Sequence, residues 1–148
     1  MQDCLNHFDS TKHWALLPFF IASTAELRGD AGDIAGAAEL LERAAELVKI
    51  TGEQWCQAEI TRLQARFSAR DPDDAFALLF ASLEKARSQC AKLWEARTAI
   101  SLAEMWRDNG DKAAAQEVLG SVYGWFSEGL DNPDLVNARA LLNQLNGR

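Results

Sequence analysis

The chain has 148 residues, with 15 basic and 22 acidic side chains and a net charge of −7. This length suits one ordinary domain with a core of its own, and 48% apolar with 25% charged residues is typical of a folded chain. The acidic balance disfavours duplex nucleic acid and anionic membrane surfaces as partners, because both require a basic face. The 25 Ala and 19 Leu against 4 Val and 5 Ile favour helix over sheet. We therefore expect an all-α protein.

Apolar stripes at helical spacing and local end signals predict four helices in the first part of the chain. The first covers about residues 16–28, with Pro18 in its first turn or kinking it. The second ends at Gly52, and its buried face is Ile34, Ala37, Ala38, Leu41, Ala44, Ala45 and Val48. The stripe of the third is Cys56, Ile60, Leu63 and Phe67. Asp71 and Pro72 begin the fourth as N-cap and first residue, and its stripe is Leu79, Leu83, Ala86 and Cys90.

Three more helices follow. The fifth has the stripe Ala99, Leu102 and Trp106 and ends at Asn109 and Gly110. Asp111 caps the sixth, whose stripe is Ala115, Val118, Leu119 and Val122. Asn132 and Pro133 open the last, whose stripe is Leu135, Ala138, Leu141, Leu142 and Leu145. Residues 1–15 are expected to form a partly irregular lead.

Internal repetition groups these helices into pairs. Residues 32–41 (GDIAGAAELL) and 110–119 (GDKAAAQEVL) agree at six of ten positions with an offset of 78. At half that offset, Trp55 falls on Trp94 and Phe67 falls on Trp106. A period near 39 with two helices per copy is typical of stacked helix pairs. We expect one α-α superhelix with pairs at about 16–51, 53–90 and 92–128 and a capping helix at 133–146.

Each pair fits the tetratricopeptide (TPR) pattern, most clearly in the third copy. There the small residues Ala103 and Ala115 would let two helix backbones approach, while Leu102, Trp106 and Leu119 fill the space beside them. The middle copy is degenerate, with Asp71 and Pro72 where the others have Gly-Asp.

Residues 94–142 resemble the C-terminal TPR end of large bacterial signalling proteins, in which a cyclase-like or DNA-binding domain precedes an AAA-type ATPase. The residues that carry the resemblance are WEAR at 94–97, the segment from Leu102 to Gly110, YGWFSEG at 123–129 and the segment from Asp134 to Leu142. No cyclase, phosphate-binding GxxxxGK[ST] loop or DNA-binding motif precedes the repeats in this chain. The resemblance therefore implies a regulatory or binding module, standing alone or cut from a longer parent, and no catalysis.

A concave groove is the expected binding surface, because the first helix of each TPR pair lines it. The repeat phase places three sets of residues there. They are Phe19, Ala22 and Glu26 in the first pair, Ala58, Thr61, Ala65 and Ser68 in the second, and Arg97, Ile100, Glu104 and Asp108 in the third. Small residues leave room for a peptide or helix, and Arg97 suits a partner carboxylate. The alternative is that Arg97 pairs with Glu104 or another neighbour on an idle face.

Two further segments each have a functional and a structural interpretation. The aromatic pair Trp125 and Phe126 is either a docking surface or, as we favour, a plug that covers the last helix pair. Cys4, His7 and His13 have metal-like spacing but no fourth ligand, so we expect no metal and no cofactor.

Catalysis has little support in this sequence. Both histidines lie in the first 13 residues, and Asp71, Asp73 and Asp74 are explained by capping and by the helix dipole. Cys56 and Cys90 are expected to be small buried hydrophobic residues. Three cysteines without a CxxC pair, and an apolar run at 14–25 too short to span a membrane, predict a cytoplasmic protein. A signal peptide is the alternative for that run.

Three functions remain open. The first is a non-catalytic module that binds a segment of a protein partner in its groove, in bacterial signalling. The second is a helical receptor for a small effector. The third is a self-associating scaffold in which Trp14, Phe19 and Phe20 join two copies at the uncapped N-terminal end.

Overall fold

The computed structural model describes residues 16–147, which form seven α-helices and no strands. The helices are α1 (Leu17–Asp30), α2 (Ile34–Thr51), α3 (Gln57–Phe67), α4 (Pro72–Ser88), α5 (Lys92–Asp108), α6 (Lys112–Tyr123) and α7 (Pro133–Leu145). The all-α prediction is confirmed. None of these helices has the length and apolarity needed to cross a membrane.

The predicted end signals operate as expected. Pro18 lies in the first turn of α1. Asp71 accepts a hydrogen bond from the backbone N–H of Asp74 at 2.8 Å, and Asp111 accepts one from the N–H of Ala114 at 3.0 Å. Asn132 caps α7 by accepting from the N–H of Asp134 at 2.9 Å. Each cap satisfies a donor that the helix itself cannot pair.

The chain divides into two compact units, called here the N-terminal and C-terminal units, whose described parts are residues 16–81 and 82–147. The boundary falls within α4. The core of the N-terminal unit comes from α1, α2 and α3. Its buried members are Leu17, Ile21, Ala22, Ala25, Ala37, Leu41, Ala44, Leu47, Val48, Cys56, Ile60, Leu63 and Phe67.

Small residues set the spacing of helices in this core. Ala25 of α1 and Ala37 of α2 are both fully buried, which is the arrangement of small residues expected for closely packed helices. At Gly29 of α1, a methyl group would overlap the ring of Phe67 from α3. A larger residue at position 29 would therefore require that ring to move.

The core of the C-terminal unit comes from α5, α6 and α7. Its members are Ala96, Ala99, Ile100, Ala103, Ala115, Leu119, Val122, Leu135, Ala138, Leu141 and Leu145. Gln116 of α6 also donates a hydrogen bond of 3.0 Å to the backbone oxygen of Leu145, at the end of α7. The apolar stripes predicted for α5, α6 and α7 thus meet in one core, except for Leu102, which is buried but is not part of this cluster.

Three interhelical turns share one geometry, the Schellman motif. Gly32, Cys90 and Gly110 are each left-handed, with φ of 93°, 54° and 86°. Each donates its N–H to the carbonyl three residues earlier, and the following residue donates to the carbonyl five residues earlier. That following residue is also the N-cap of the next helix, and it is Asp33, Ala91 or Asp111.

Three predicted burials are wrong. Ile34, predicted on the buried face of α2, is 49% exposed at the first residue of that helix. Cys90 is exposed, because it lies beyond the end of α4 in the left-handed turn instead of on its buried stripe. Trp125 is 60% exposed, and only Phe126 of the expected aromatic plug packs against the C-terminal core. Trp125 instead lies edge to face with Phe126 and beneath the ammonium group of Lys92.

Candidate functional site

The seven groove residues predicted in the N-terminal unit have different surroundings. Three of them are buried and do not line an open face, namely Ala22, Ala58 and Ala65. Phe19 is half-buried, and its ring centroid lies 5.3 Å from that of Trp55. Glu26 accepts a hydrogen bond from Arg62, and the Thr61 hydroxyl donates one to the backbone oxygen of Gln57. Ser68 is exposed at the end of α3.

The four groove residues predicted in the C-terminal unit also differ from one another in their surroundings. Ile100 is 6% exposed and belongs to the core, which corrects its expected place on an open face. The reason is that both α6 and α7 pack against α5, and Ile100 belongs to the apolar cluster that the three helices form. Glu104 is half-buried, and Asp108 is exposed and accepts a hydrogen bond of 2.8 Å from Arg107.

Arg97 contacts two residues of this chain, Asp134 and Trp94. Its Nε lies 3.4 Å from Oδ1 of Asp134 on α7, and its guanidinium lies 5.8 Å from the ring centroid of Trp94. The guanidinium thus contacts a carboxylate and an aromatic ring of this chain.

An open cleft of about 530 Å³ lies in the N-terminal unit, where α2, the end of α3 and the start of α4 come together. Its lining is Ala38, Glu39, Glu42, Gln64, Phe67, Ser68, Ala69, Asp74 and Leu78. Of the predicted groove residues, Ser68 alone is among them. The other lining residues were not predicted as site residues, since Glu39 and Glu42 occupy the polar face that any surface helix shows.

The charge of this cleft is acidic. Asp74 is paired by Arg70, whose guanidinium and backbone N–H donate to its carboxylate at 3.0 to 3.1 Å. These hydrogen bonds lower the pKa of Asp74 to about 2. Within residues 16–147, Glu39 and Glu42 form no ion pair. Among the residues that the structure describes, Glu39 and Glu42 therefore have no counter-ion, whereas Asp74 has Arg70.

A buried ion pair lies elsewhere in the N-terminal unit. Arg62 on α3 donates two hydrogen bonds of 2.9 Å to Glu59 and one of 2.8 Å to Glu26 on α1. Burial alone lowers the pKa of Arg62, but the hydrogen bonds and charges of Glu59 and Glu26 outweigh it, so the pKa is raised. Arg66 extends the network to Asp30 at 2.6 Å. This network joins α1 to α3.

A smaller ionic group joins α4 and α5 in the C-terminal unit. Glu95 is buried and accepts from Arg87 at 2.9 Å and from Lys92 at 2.7 Å. Burial would raise the pKa of Glu95, but these two hydrogen bonds outweigh it and the pKa is lowered.

The described cysteines are neither paired nor metal ligands. Burial raises the pKa of Cys56 to about 11, so its thiol stays protonated and unreactive. Residues 16–147 contain no group of three or more His, Cys, Asp and Glu side chains placed to hold a metal ion. Cys4, His7 and His13, for which we predicted no metal, lie outside the described residues, as does Trp14.

Comparison of the chain with protein-family models, with curated proteins and with solved structures finds no match.

Proposed function

We propose that this chain is a non-catalytic protein-interaction module, a cytoplasmic TPR-like superhelix that binds a peptide or helix of a protein partner. The proposal extends to bacterial signalling because of the resemblance of residues 94–142 to the TPR ends of signalling ATPases. The observation that carries it is the open cleft in the N-terminal unit. Its volume of about 530 Å³ lies in the range of binding clefts, and its lining combines four apolar side chains with five polar ones.

The repeated turns support the TPR-like part of the proposal. Gly32 with Asp33 and Gly110 with Asp111 stand 78 residues apart and have the same backbone geometry and the same capping bond. The same offset relates the buried pairs Ala25 with Ala37 and Ala103 with Ala115. A recurring helix–turn–helix unit with small residues at the helix contact is the building block of such arrays.

The cleft is a better place to seek the partner than the row of first-helix positions. Glu26 and Arg97 each have an ionic partner inside the chain, and Ile100 is in the core. Ser68 is exposed and lies on the cleft wall. A tryptophan at position 68 would therefore occupy the cleft without replacing a core residue.

Selection from a displayed library of random 16-residue peptides tests the proposal. We expect the immobilised chain to enrich peptides that bind with micromolar Kd, and we expect Ser68→Trp to weaken them at least tenfold. Ser127→Trp, in the exposed segment between α6 and α7, is the matched control and should leave Kd unchanged. No enrichment over bare support, or equal binding by both variants, would contradict the proposal.

A receptor for a small effector is the second candidate, and the cleft volume favours it too. A thermal-shift screen with a metabolite panel separates the two functions. A ligand that raises Tm of the wild type but not of Ser68→Trp, in the absence of any peptide binder, would favour the receptor.

A further inference from the structure

The cleft has an apolar floor. Phe67 is buried in the core but its ring also forms part of the cleft wall, beside the half-buried side chains of Ala38, Ala69 and Leu78. An apolar side chain of a ligand placed here would leave water and contact Phe67 and Leu78. This apolar floor therefore contributes to the affinity for a ligand, but it does not discriminate between one apolar ligand and another.

Two glutamates at the edge of the cleft, Glu39 and Glu42, select ligands by charge. Glu39 and Glu42 stand one helical turn apart on α2, so their Cβ atoms are about 5–6 Å from each other. Both are exposed, and neither forms an ion pair within residues 16–147. Asp74, on the opposite wall, is already neutralised by Arg70. The unbalanced charge of the cleft is thus carried by the two glutamates.

Arg66, next to the cleft residue Phe67, is engaged elsewhere. Arg66 precedes Phe67 and pairs with Asp30 and Glu26, with its guanidinium 4.7 Å from the Phe67 ring centroid. The chain as a whole has a net charge of −7, which adds a long-range attraction for cationic ligands. An acidic or phosphorylated segment would meet repulsion at Glu39 and Glu42.

We propose, on the basis of the function proposed above, that the cleft binds a basic amphipathic segment of the partner, with an apolar side chain on Phe67 and Leu78 and two Lys or Arg residues on Glu39 and Glu42. The apolar contact holds the segment, and the paired glutamates select its charge. Basic residues about one helical turn apart in the segment match the spacing of the two carboxylates.

Fluorescence anisotropy with three labelled 12-residue peptides tests this directly. One contains Leu and Lys in an amphipathic pattern, one has Glu in place of each Lys, and one has Ser in place of each Leu. We expect the Leu/Lys peptide to bind with a Kd at least tenfold below that of the other two. Its Kd should rise several-fold between 50 and 300 mM NaCl, as expected for exposed charge pairs.

Matched variants locate the binding. The double variant Glu39→Lys/Glu42→Lys should weaken the Leu/Lys peptide at least tenfold. The double variant Glu46→Lys/Glu117→Lys makes the same change in net charge at exposed positions outside the cleft, and it should change Kd less than threefold. Leu78→Ser should weaken binding without a change in helical circular dichroism.

Equal loss in the two double variants would show non-specific attraction and overturn the inference. Tight binding of the Leu/Glu peptide would overturn it as well. If displayed peptides without Lys or Arg bind the wild type but not Ser68→Trp, the proposal of a basic segment is wrong, while the proposed interaction function stands. If neither displayed nor designed peptides bind, both proposals fail.

Discussion

Cys90 adopts a backbone conformation that is unfavourable for every residue except glycine. Its φ is 54°, and the two equivalent positions in the other turns are Gly32 and Gly110. A left-handed residue with a Cβ atom costs about 1–2 kcal/mol, and part of that is recovered by the lower chain entropy of a non-glycine residue in the unfolded state.

We predict that Cys90→Gly raises the free energy of unfolding by about 0.5–1 kcal/mol, because it removes this strain. Urea denaturation of the full chain measures it. Cys90→Ala is the control, since it removes the thiol but keeps the Cβ atom, and it should show no such gain. A gain of equal size in both variants would show that the thiol, and not the backbone, is unfavourable.

Arg62 and Glu59 form a buried ion pair, and replacing only one of the two residues is expected to destabilise the fold strongly. Both side chains are buried, so truncation of one leaves the other charged in a medium that solvates it poorly. We predict that Arg62→Met lowers the free energy of unfolding by about 3–5 kcal/mol. The double variant Glu59→Leu/Arg62→Met should lose less than the sum of the two single changes.

A double-mutant cycle by urea denaturation gives the coupling between them, which we expect to exceed about 1 kcal/mol. Glu26 is only partly buried, so it keeps solvent contact when Arg62 is removed. Additive losses in the cycle would show that the two residues act independently.

At the scale of the helix, α5 lacks the side-chain cap that α2 and α6 have after the same kind of turn. Ala91 has φ and ψ of −84° and 73°, close to the −87° and 73° of Asp111. We predict that Ala91→Asp stabilises the chain by about 1 kcal/mol, because its carboxylate would accept from a free N–H in the first turn. Thermal unfolding measures it, with Asp111→Ala expected to lose a similar amount. An unchanged Tm for Ala91→Asp would contradict the prediction.

The junction of α4 and α5 also has a pH dependence. The pKa of Glu95 is lowered from its ordinary value of 4.5 by Lys92 and Arg87. A carboxyl with a lowered folded-state pKa stabilises the fold fully above its unfolded-state pKa and loses that contribution as pH falls through the folded-state value.

We therefore predict that Glu95→Gln lowers Tm at pH 7 and that the difference from wild type shrinks as pH falls below 4.5. Thermal scans from pH 3 to pH 7 check this. Glu117→Gln, an exposed glutamate on α6, serves as the control and should show little difference at any pH. A constant gap between Glu95→Gln and wild type would mean that the carboxylate charge is irrelevant.

Helices and caps were predictable from sequence because their signals are local. Asp71, Asp111 and Asn132 each precede an apolar stripe, and each caps the helix that follows. Cys90 was misplaced because its stripe continues in sequence while the helix ends two residues earlier, at Ser88. Nothing in a 3.6-residue period shows where a Schellman turn without glycine begins.

The site was less predictable because it depends on contacts between distant segments. Arg62 and Glu26 are 36 residues apart, and no local pattern pairs them. Glu39 and Glu42 are ordinary exposed positions on α2 until α3 and α4 place Phe67 and Leu78 beside them. Of the eleven predicted groove residues, Ser68 lies on the cleft, and none of the other ten lines it.

At the scale of the whole molecule, exposed apolar residues near the start of α1 bear on self-association. Leu16 and Phe20 are 48% and 40% exposed, and Phe20 lies 5.9 Å from Phe19 between ring centroids. If two copies join here, the mass in sedimentation should rise with concentration, and Phe20→Ser should abolish the rise. Phe80→Ser, at an exposed phenylalanine on α4, is the control. A monomer mass at every concentration would exclude this scaffold function.

The buried guanidinium between α1 and α3 also has a consequence for evolution. Glu59 and Arg62 neutralise each other in the interior. A sequence that replaces only one of them therefore leaves a buried, unpaired charge and is less stable until the second residue is replaced too. Descendants of this sequence are therefore expected to keep both residues or neither. The two positions should covary across species, whereas the exposed wall of the cleft is free to drift with its partner.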